Sequence, residues 1–185
     1  MINRETERLL IRNFKTEYWE DLLEIAQQYE KSEFANYDHK WPQTPLGIKE
    51  LVEWFRGNDG FVAVVLKSND KVIGLIQIQR KEAITTELVH DFGYVFNSDY
   101  QGKGYASESC MNILEYLFNG LKISKVVAGT PIVNKNSCKL LRRLGFKEIS
   151  RQSKHFHKDS KGNPIEFLAG TIELTVENWE NLIGN

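Results

Sequence analysis

The chain has 185 residues, of which 41% are hydrophobic and 26% are charged, and its formal net charge at pH 7 is −1. This length and composition predict a globular protein with a sizeable core, which we interpret as one domain over residues 1–185. A net charge near zero argues against a general nucleic-acid binder and against a membrane-surface binder.

The sequence carries no signal for export, membrane insertion or metal binding. Residues 1–7 are polar, and no apolar run is long enough to cross a bilayer, so we expect a cytoplasmic protein. Cys110 and Cys138 both fall in helical patterns, which favours neither a disulfide scaffold nor a metal cluster. His155 and His157 have no further ligands at metal-binding spacing, so we expect no metal.

The chain begins with a predicted strand, a helix, a loop and a second helix. Residues 8–14 alternate between two faces, as in a strand. Thr16 is a candidate cap for the first helix. Thr44 followed by Pro45 places a cap before a proline at the first helical position, which predicts the second helix. We expect this second helix to bury Leu51, Trp54 and Phe55.

The loop between these helices, residues 30–43, has no periodicity but is rich in aromatic residues. Aromatic side chains in a loop can cover the local core, and they can also line a ligand pocket, so both interpretations stay open. The candidate substrate-binding residues of this loop are Phe34, Tyr37 and Trp41.

Two apolar runs, residues 61–66 and 72–78, predict strands that are covered on both faces and joined by a hairpin turn. A polar connection around Lys81 and Glu82 leads to a further strand over residues 88–96. The shared apolar face of that strand carries Leu88, Phe92, Tyr94 and Phe96.

This strand ends in turn-forming residues and is followed by a glycine-rich segment and a helix. The segment reads Gln101, Gly102, Lys103, Gly104, Tyr105 and Ala106. Backbone N–H groups at the positive end of a helix dipole suit a phosphate or pyrophosphate, although a tight connection without a ligand has the same composition. A Walker A loop would need glycine at Asn97, and a dinucleotide fingerprint would need glycine at Ser107, so neither motif is present.

The last third of the chain predicts more strands and one short helix. The strands are expected at residues 125–130, 149–156 and 165–173. Asn134 caps the helix, and Gly145 ends it. Residues 176–183 predict a polar tail with at most a final helical turn. Together the elements predict an α+β fold around one twisted sheet.

These motifs, taken in order, resemble the GNAT acetyltransferase superfamily. Residues 101–106 match its Gln/Arg-x-x-Gly-x-Gly/Ala signature. Residues 134–137 and 144–146 look like its next motif, in the form found in ribosomal-protein and N-terminal amino-acid acetyltransferases. Residues 8–12 and 162–164 also resemble that branch, so the resemblance covers nearly the whole chain.

The resemblance implies a mostly antiparallel twisted sheet flanked by helices, with a splayed parallel strand pair at the cofactor site. Acetyl-coenzyme A (acetyl-CoA) would be the co-substrate, with its pantetheine arm between the splayed strands. A backbone N–H near Val95 or Phe96 would polarise the thioester carbonyl. The other implied cofactor-binding residues are Gln101, Gly102, Lys103, Gly104, Tyr105, Ala106 and Asn134. Lys139, Arg142 and Arg143 would meet the ribose phosphate or form a solvated helix face.

The resemblance also implies direct acetyl transfer to an amine in a ternary complex. Asp91 stands where many relatives carry a glutamate before a Gly-Tyr pair, and it would accept the amine proton; an amine anchor or a surface carboxylate is the alternative. Ser137 would stabilise the leaving thiolate or cap its helix. Leu140 and Leu141 occupy the region where many relatives have a general-acid tyrosine, which leaves the acid unassigned.

An alternative function is a non-catalytic acyl-CoA sensor or interaction module on the same fold, which would bind the cofactor without releasing its thiol. We expect acetyl-CoA and an amine acceptor as partners, with no nucleic acid and no membrane. The acceptor, whether a protein N-terminus, a peptide or a small molecule, stays open. So does the oligomeric state, with a homodimer among the possibilities.

Overall fold

The computed structural model describes residues 2–81 and 88–184, so Glu82 of the predicted polar connection lies outside the described residues. The strands are β1 (Asn3–Glu5), β2 (Leu9–Asn13), β3 (Phe61–Leu66), β4 (Lys71–Arg80), β5 (Val89–Phe96), β6 (Lys125–Pro131), β7 (Lys147–Lys158) and β8 (Pro164–Thr175). The helices are α1 (Trp19–Glu30), α2 (Pro45–Arg56), α3 (Tyr105–Glu115), α4 (Lys135–Arg143) and α5 (Val176–Ile183). Within the described ranges, no helix is long and apolar enough to span a membrane.

The described strands form one sheet in the order β1-β2-β3-β4-β5-β6-β8-β7, in which β5 and β6 are the parallel neighbours and the other pairs are antiparallel. The parallel register joins only Val89–Asp91 to Lys125–Val127. β5 then continues to Phe96 beside β4, and β6 continues to Pro131 beside β8. The two strands therefore diverge into a V-shaped gap, which confirms the expected α+β fold with a splayed parallel pair.

The sheet separates two hydrophobic cores. Helices α3, α4 and α5 pack on one face, and α1 and α2 pack on the other. β3 lies inside the sheet with all of its residues buried, which confirms the predicted strand covered on both faces. Its residues Val62 and Val64 face the α3–α4 core, while Ala63 and Val65 face the α1–α2 core.

Helix α2 begins as predicted, with the Thr44 hydroxyl accepting a hydrogen bond from the backbone N–H of Gly47. Its predicted buried face is partly wrong, because Trp54 is 52% exposed. The buried residues are Ile48, Val52 and Phe55, which follow the spacing of one helical face. Trp54 lies one position off that face, at the rim of the core. Its ring contacts those of Phe55 and Phe61, with centroid distances of 5.5 and 5.0 Å.

Residues 176–183 form the helix α5, although their composition predicted a polar tail. The Thr175 hydroxyl caps the helix by accepting a hydrogen bond from the backbone N–H of Asn178. Trp179 is 1% exposed and stacks on the ring of Phe118, with centroids 5.4 Å apart. Its indole N–H donates to the Asn119 side chain at 3.2 Å. A single buried tryptophan therefore anchors a helix whose other residues are mostly polar.

The strands β4 and β5 approach closely where Gly74 faces Phe96. The backbone N–H of Asn97 donates to the Ile73 carbonyl at 2.9 Å, so these two residues form a hydrogen-bonded pair. Opposed pairs in an antiparallel ladder alternate, which makes Gly74 and Phe96 a non-hydrogen-bonded pair with closely spaced side chains. A Cβ atom added to Gly74 would clash with the Phe96 ring, 2.7 Å from Cε1. Gly74 thus leaves room for the ring of the residue that ends β5.

We expect Trp179→Ala to lower the free energy of unfolding by about 3–5 kcal/mol, because it removes a fully buried indole from the core under α5. Trp54→Ala is the matched control. It removes the same side chain from an exposed site and should lower the free energy of unfolding by about 1 kcal/mol or less. Denaturant unfolding measures both values. Equal losses in the two variants would contradict the anchoring role of Trp179.

Gly74→Ala should lower the free energy of unfolding by about 1–3 kcal/mol, because the new methyl group must displace the Phe96 ring. Gly129→Ala tests the same change in β6, where an added Cβ would have no neighbour within 4 Å. The free energy of unfolding of this control should stay within about 0.5 kcal/mol of that of the unaltered protein. A Gly74→Ala variant as stable as the control would show that the Phe96 ring is not held in this position.

Candidate active site

The end of β5 directs backbone groups into the gap. Since Asn97 and Val95 lie in hydrogen-bonded pairs with β4, their N–H groups point toward β4, and the N–H of Phe96 points the other way. The Phe96 carbonyl accepts a hydrogen bond from the Gln101 side chain at 3.1 Å. Of the two predicted oxyanion donors, Phe96 therefore has its N–H aimed into the gap, whereas that of Val95 belongs to the sheet.

Asn97 fixes the turn that follows β5. It is fully buried, and each of its polar groups has a partner. Its backbone N–H donates to Ile73 and its carbonyl accepts from the Tyr100 N–H at 3.1 Å. Its side-chain oxygen accepts from the Asp99 N–H at 3.0 Å, and its side-chain amide donates to Glu24 of α1 at 2.8 Å. Sequence reasoning identified Asn97 only as a turn former, because Glu24 lies far away in the chain.

The glycine-rich loop presents open backbone at the start of α3. Gly102 and Gly104 have φ angles of +74° and +84°, in the left-handed region that favours glycine. A Cβ atom on Gly102 would meet nothing within 4 Å. Tyr105 and Ala106 form the first turn of α3, where backbone N–H groups and the helix dipole attract an anion. The glycine-rich loop therefore leaves the backbone at Gly102 open beside the first turn of α3.

Arg8, which lies near the start of the sequence, holds this loop through its side chain. Its guanidinium donates to the Lys103 carbonyl at 3.0 Å and to the Glu108 carboxylate at 2.7 Å, and it lies 4.4 Å from the centre of the Tyr105 ring. The Lys103 ammonium folds back to the Asp99 carbonyl at 2.8 Å. Sequence reasoning noted Arg8 in a family motif but gave it no contact with the loop.

The opposite wall of the gap is the start of α4. The Asn134 side chain accepts from the backbone N–H of Ser137 at 3.0 Å, which confirms the predicted cap. Arg143 donates to the Ser107 hydroxyl at 3.1 Å and so bridges α4 to α3. Arg142 lines a separate pocket with Arg151, between α4 and the strands β7 and β8. Of the predicted basic helix residues, Arg143 therefore lies beside the glycine-rich loop and Arg142 does not.

The phenol of Tyr94 contacts the Ser137 side chain across the gap. Its hydroxyl oxygen lies 2.9 Å from the Ser137 hydroxyl oxygen. Burial raises the pKa of Tyr94 well above its ordinary value. Leu140 and Leu141 are buried in the α3–α4 core, so neither faces this site. Sequence reasoning placed Tyr94 on an apolar strand face and missed its contact with Ser137.

Two carboxylates lie in line across the other face of the sheet. Asp91 of β5 is opposite Val127 of β6, which is opposite Glu173 of β8, so the three side chains share one face. Asp91 forms an ion pair with Lys81 at 2.9 Å, and Glu173 forms one with Lys125 at 3.6 Å. The sequence motifs point to Asp91 but not to Glu173, because only the register of the sheet aligns the two carboxylates.

The aromatic loop packs against the β7–β8 hairpin rather than standing free. Three contacts join them: Tyr37 to Phe167 with ring centroids 5.0 Å apart, His39 to Phe156 at 4.6 Å, and the His157 ring nitrogen to the Asp38 carbonyl at 2.5 Å. Trp41 lies beside Tyr29 of α1, with ring centroids 6.2 Å apart. The Phe34 carbonyl accepts a long hydrogen bond from the Tyr29 hydroxyl at 3.5 Å. Tyr37 thus faces the hairpin and Trp41 packs beside α1, whereas the contact of Phe34 with α1 is made by its backbone carbonyl.

Among the described residues, His155 and His157 do not form a group with other metal-ligating side chains. His157 is engaged with Asp38. Over residues 2–81 and 88–184, no group of three or more metal-ligating side chains comes together.

The comparisons with known proteins agree with this geometry. Residues 8–147 match the family model described as "Acetyltransferase (GNAT) domain". The chain is 30% identical over 143 residues to the Uncharacterized N-acetyltransferase YnaD of Bacillus subtilis (strain 168), covering 77% of this chain and 81% of that protein. An acetyltransferase of the GNAT family from Bacillus anthracis superposes with a TM-score of 0.78 at 23% identity, covering 95% of this chain and 99% of that one.

A second solved structure is the ribosomal-protein-S5-alanine acetyltransferase from Vibrio fischeri, which superposes with a TM-score of 0.73 at 23% identity. The match covers 97% of this chain and 99% of that chain. At these identities the two solved structures support a shared fold. The family model and the Bacillus subtilis relative go further, because they match the sequence itself. The chain therefore belongs to the GNAT acetyltransferase family.

Proposed function

We propose that this protein transfers an acetyl group from acetyl-CoA to an amine, in a ternary complex built on one domain. The observation that carries the proposal is the divergence of β5 from β6 directly beside the glycine-rich loop. A gap lined by strand backbone suits an extended amide-containing arm, and the loop suits the pyrophosphate at the end of that arm. The two features lie at the same end of the sheet, as one elongated ligand requires.

The loop residues supply the phosphate contacts in this proposal. Gly102 and Gly104 allow the ligand to approach the backbone, and the first turn of α3 contributes N–H groups and a positive dipole end. Arg8 and Arg143 add positive charge on either side of the loop. Arg8 is partly neutralised by Glu108, so its main contribution is to hold the Lys103 carbonyl and thereby the loop conformation.

The end of β5 supplies the polarising group. The N–H of Phe96 points into the gap, where it can donate to the thioester oxygen as negative charge develops there. Such a donor typically contributes about 3 kcal/mol to the lowering of the barrier. The carbonyl in the same peptide unit belongs to Val95, whose hydrogen-bonded pairing with Leu75 of β4 keeps this unit from rotating freely.

The acceptor amine must be neutral when its lone pair attacks the carbonyl carbon. The C–N bond forms, the C–S bond breaks, and sulfur leaves with the bonding electron pair. The surplus amine proton passes to Asp91 through a chain of waters, because Asp91 precedes Phe96 by five residues, about 16 Å along the extended strand. Asp91 faces the side of the sheet on which the aromatic loop and α1 lie, and this side is therefore where we place the acceptor.

The acceptor class follows less directly from the site. One structural neighbour is titled a ribosomal-protein-S5-alanine acetyltransferase, and the loop and hairpin form an aromatic wall around Tyr37 and Phe167. This supports a protein N-terminus, a peptide or a small-molecule amine. A second candidate is a non-catalytic acyl-CoA sensor, which is favoured by the pairing of both Asp91 and Glu173 with lysines.

We expect acetyl-CoA to bind with a dissociation constant in the micromolar range, as measured by calorimetry. Gly104→Leu should weaken this binding by about 10-fold or more, because a side chain there enters the phosphate site and meets Arg8. Gly162→Leu is the matched control, since Gly162 has a φ of +87° in the distant hairpin turn. It carries the same backbone strain and should bind normally. Undetectable binding by the unaltered protein would refute the proposal.

Asp91→Asn should lower kcat by about 100-fold or more and leave the KM for acetyl-CoA unchanged, because it removes the proton acceptor but not the cofactor site. The assay is free-thiol release with N-terminal peptides, polyamines and aminoglycosides as acceptors. Glu173→Gln is the matched variant and should lower kcat less. A larger loss of kcat in Glu173→Gln than in Asp91→Asn would show that Glu173 is the base. Binding of acetyl-CoA without thiol release from any acceptor would favour the sensor.

A further inference from the structure

We propose that Tyr94 positions the Ser137 hydroxyl so that its hydrogen points into the gap, toward the sulfur that leaves during acetyl transfer. The inference rests on the proposed function, because it assumes that the thioester occupies the gap. It assigns to a strand residue the task of orienting the Ser137 hydroxyl, which the family resemblance had suggested as the group that stabilises the leaving thiolate.

The contact between Tyr94 and Ser137 crosses the gap. Tyr94 lies on β5, beyond the last residue of the parallel register, Asp91. Ser137 lies in the first turn of α4, which follows β6. Because β5 and β6 have already separated at this level, the 2.9 Å contact joins the two walls on the α3–α4 face. A group in the gap near Phe96 would therefore lie beside this pair.

The hydrogen of the phenol has one good acceptor. The Ser137 hydroxyl oxygen lies 2.9 Å from the Tyr94 oxygen, whereas the Ser137 carbonyl lies at 3.5 Å. The rings of Phe92 and Phe96 flank Tyr94 at 6.1 and 6.2 Å and give it an apolar setting. Burial raises the pKa of Tyr94, so the phenol keeps its hydrogen at neutral pH. Donation to the serine hydroxyl is the arrangement that satisfies this hydrogen best.

The hydrogen of Ser137 then needs an acceptor of its own, since a hydroxyl that accepts from Tyr94 can still donate. A serine in a helix usually donates back to the carbonyl three or four residues earlier. Here those carbonyls belong to Asn134 and Val133, and among the described residues the Ser137 hydroxyl lies within hydrogen-bonding distance of the Tyr94 hydroxyl and of neither carbonyl. The Ser137 hydrogen is therefore available to an acceptor in the gap.

The consequence for the reaction is a donor aimed at the leaving group. As the C–S bond breaks, sulfur takes the electron pair, and the Ser137 O–H donates a hydrogen bond to the developing thiolate. Tyr94 keeps its proton throughout this step, in line with the raised pKa that burial gives its phenol. Tyr94 acts through Ser137 and not on the sulfur, so it is a positioning residue. The other titratable groups near the phenol are Cys110, Cys138 and Arg143.

The test uses coenzyme A as the probe, because it needs no acceptor. In the complex with coenzyme A, the alkylation rate of the bound thiol is followed against pH, with alkylated coenzyme A quantified by chromatography. A hydroxyl aimed at sulfur lowers the pKa of the bound thiol. Tyr94→Phe should raise that pKa by about 0.5–1 pH unit, as expected for the loss of one oriented hydrogen bond. Ser137→Ala should raise it at least as much.

The double variant separates positioning from general structural damage. If Tyr94 acts through Ser137, adding Tyr94→Phe to Ser137→Ala should produce no further shift. The matched control is Tyr18→Phe, which removes a buried phenol hydroxyl from the opposite core and should leave the thiol pKa unchanged. Calorimetry should give the same affinity for coenzyme A in all variants.

Three outcomes overturn the inference. Additive shifts in the double variant, or an unchanged pKa in Tyr94→Phe, refute the positioning role while the proposed function stands. Failure of the unaltered protein to bind coenzyme A refutes the proposed function and the inference with it.

Discussion

The constraint on which the site depends is the short parallel register between β5 and β6. Beyond that register β5 and β6 separate, but β5 stays paired with β4, and β6 stays paired with β8. The edges of β5 and β6 that face each other are therefore the inner edges of the gap. The backbone groups along those inner edges cannot satisfy one another across the gap, and buried polar backbone without partners is costly. A ligand with amide groups can satisfy them, so the divergence favours binding an extended arm such as pantetheine.

Two buried or capping asparagines hold the gap in this shape. Asn97 fixes the turn after β5 and ties it to Glu24 of α1, while Asn134 fixes the start of α4 after β6. Hydrogen bonds from Lys71 and from Asn97 hold the pKa of Glu24 below its ordinary value, so this carboxylate stays charged and keeps both partners. Since α1 leads into the aromatic loop, the same network links the proposed acceptor side of the sheet to the turn before the glycine-rich loop.

Local signals in the sequence predicted much of this fold, and tertiary contacts account for what they missed. The caps at Thr44 and Asn134 and the positive-φ glycines are encoded by neighbouring residues, so they were predictable. The clamp of Arg8 on Lys103 joins residues far apart in sequence, and no local pattern encodes it. The helix α5 was missed for a related reason, because Trp179 and Leu182 pack against residues far away in the sequence, such as Phe118. The confirmed family and fold leave the roles of the catalytic and cofactor residues as proposals.

The composition of α4 explains why the group that we propose to orient the Ser137 hydroxyl comes from the strand side. Leu140 and Leu141 are buried and complete the core beneath the gap, so replacing either by tyrosine would create an overpacked core. Tyr94 instead stands on β5, where one face of the strand is apolar and its phenol reaches the first turn of α4. This arrangement divides the work between two structural elements: α4 provides the hydroxyl, and β5 provides the group that orients it. Because β5 also presents the Phe96 N–H, one strand would position both the thioester oxygen and the donor to its sulfur.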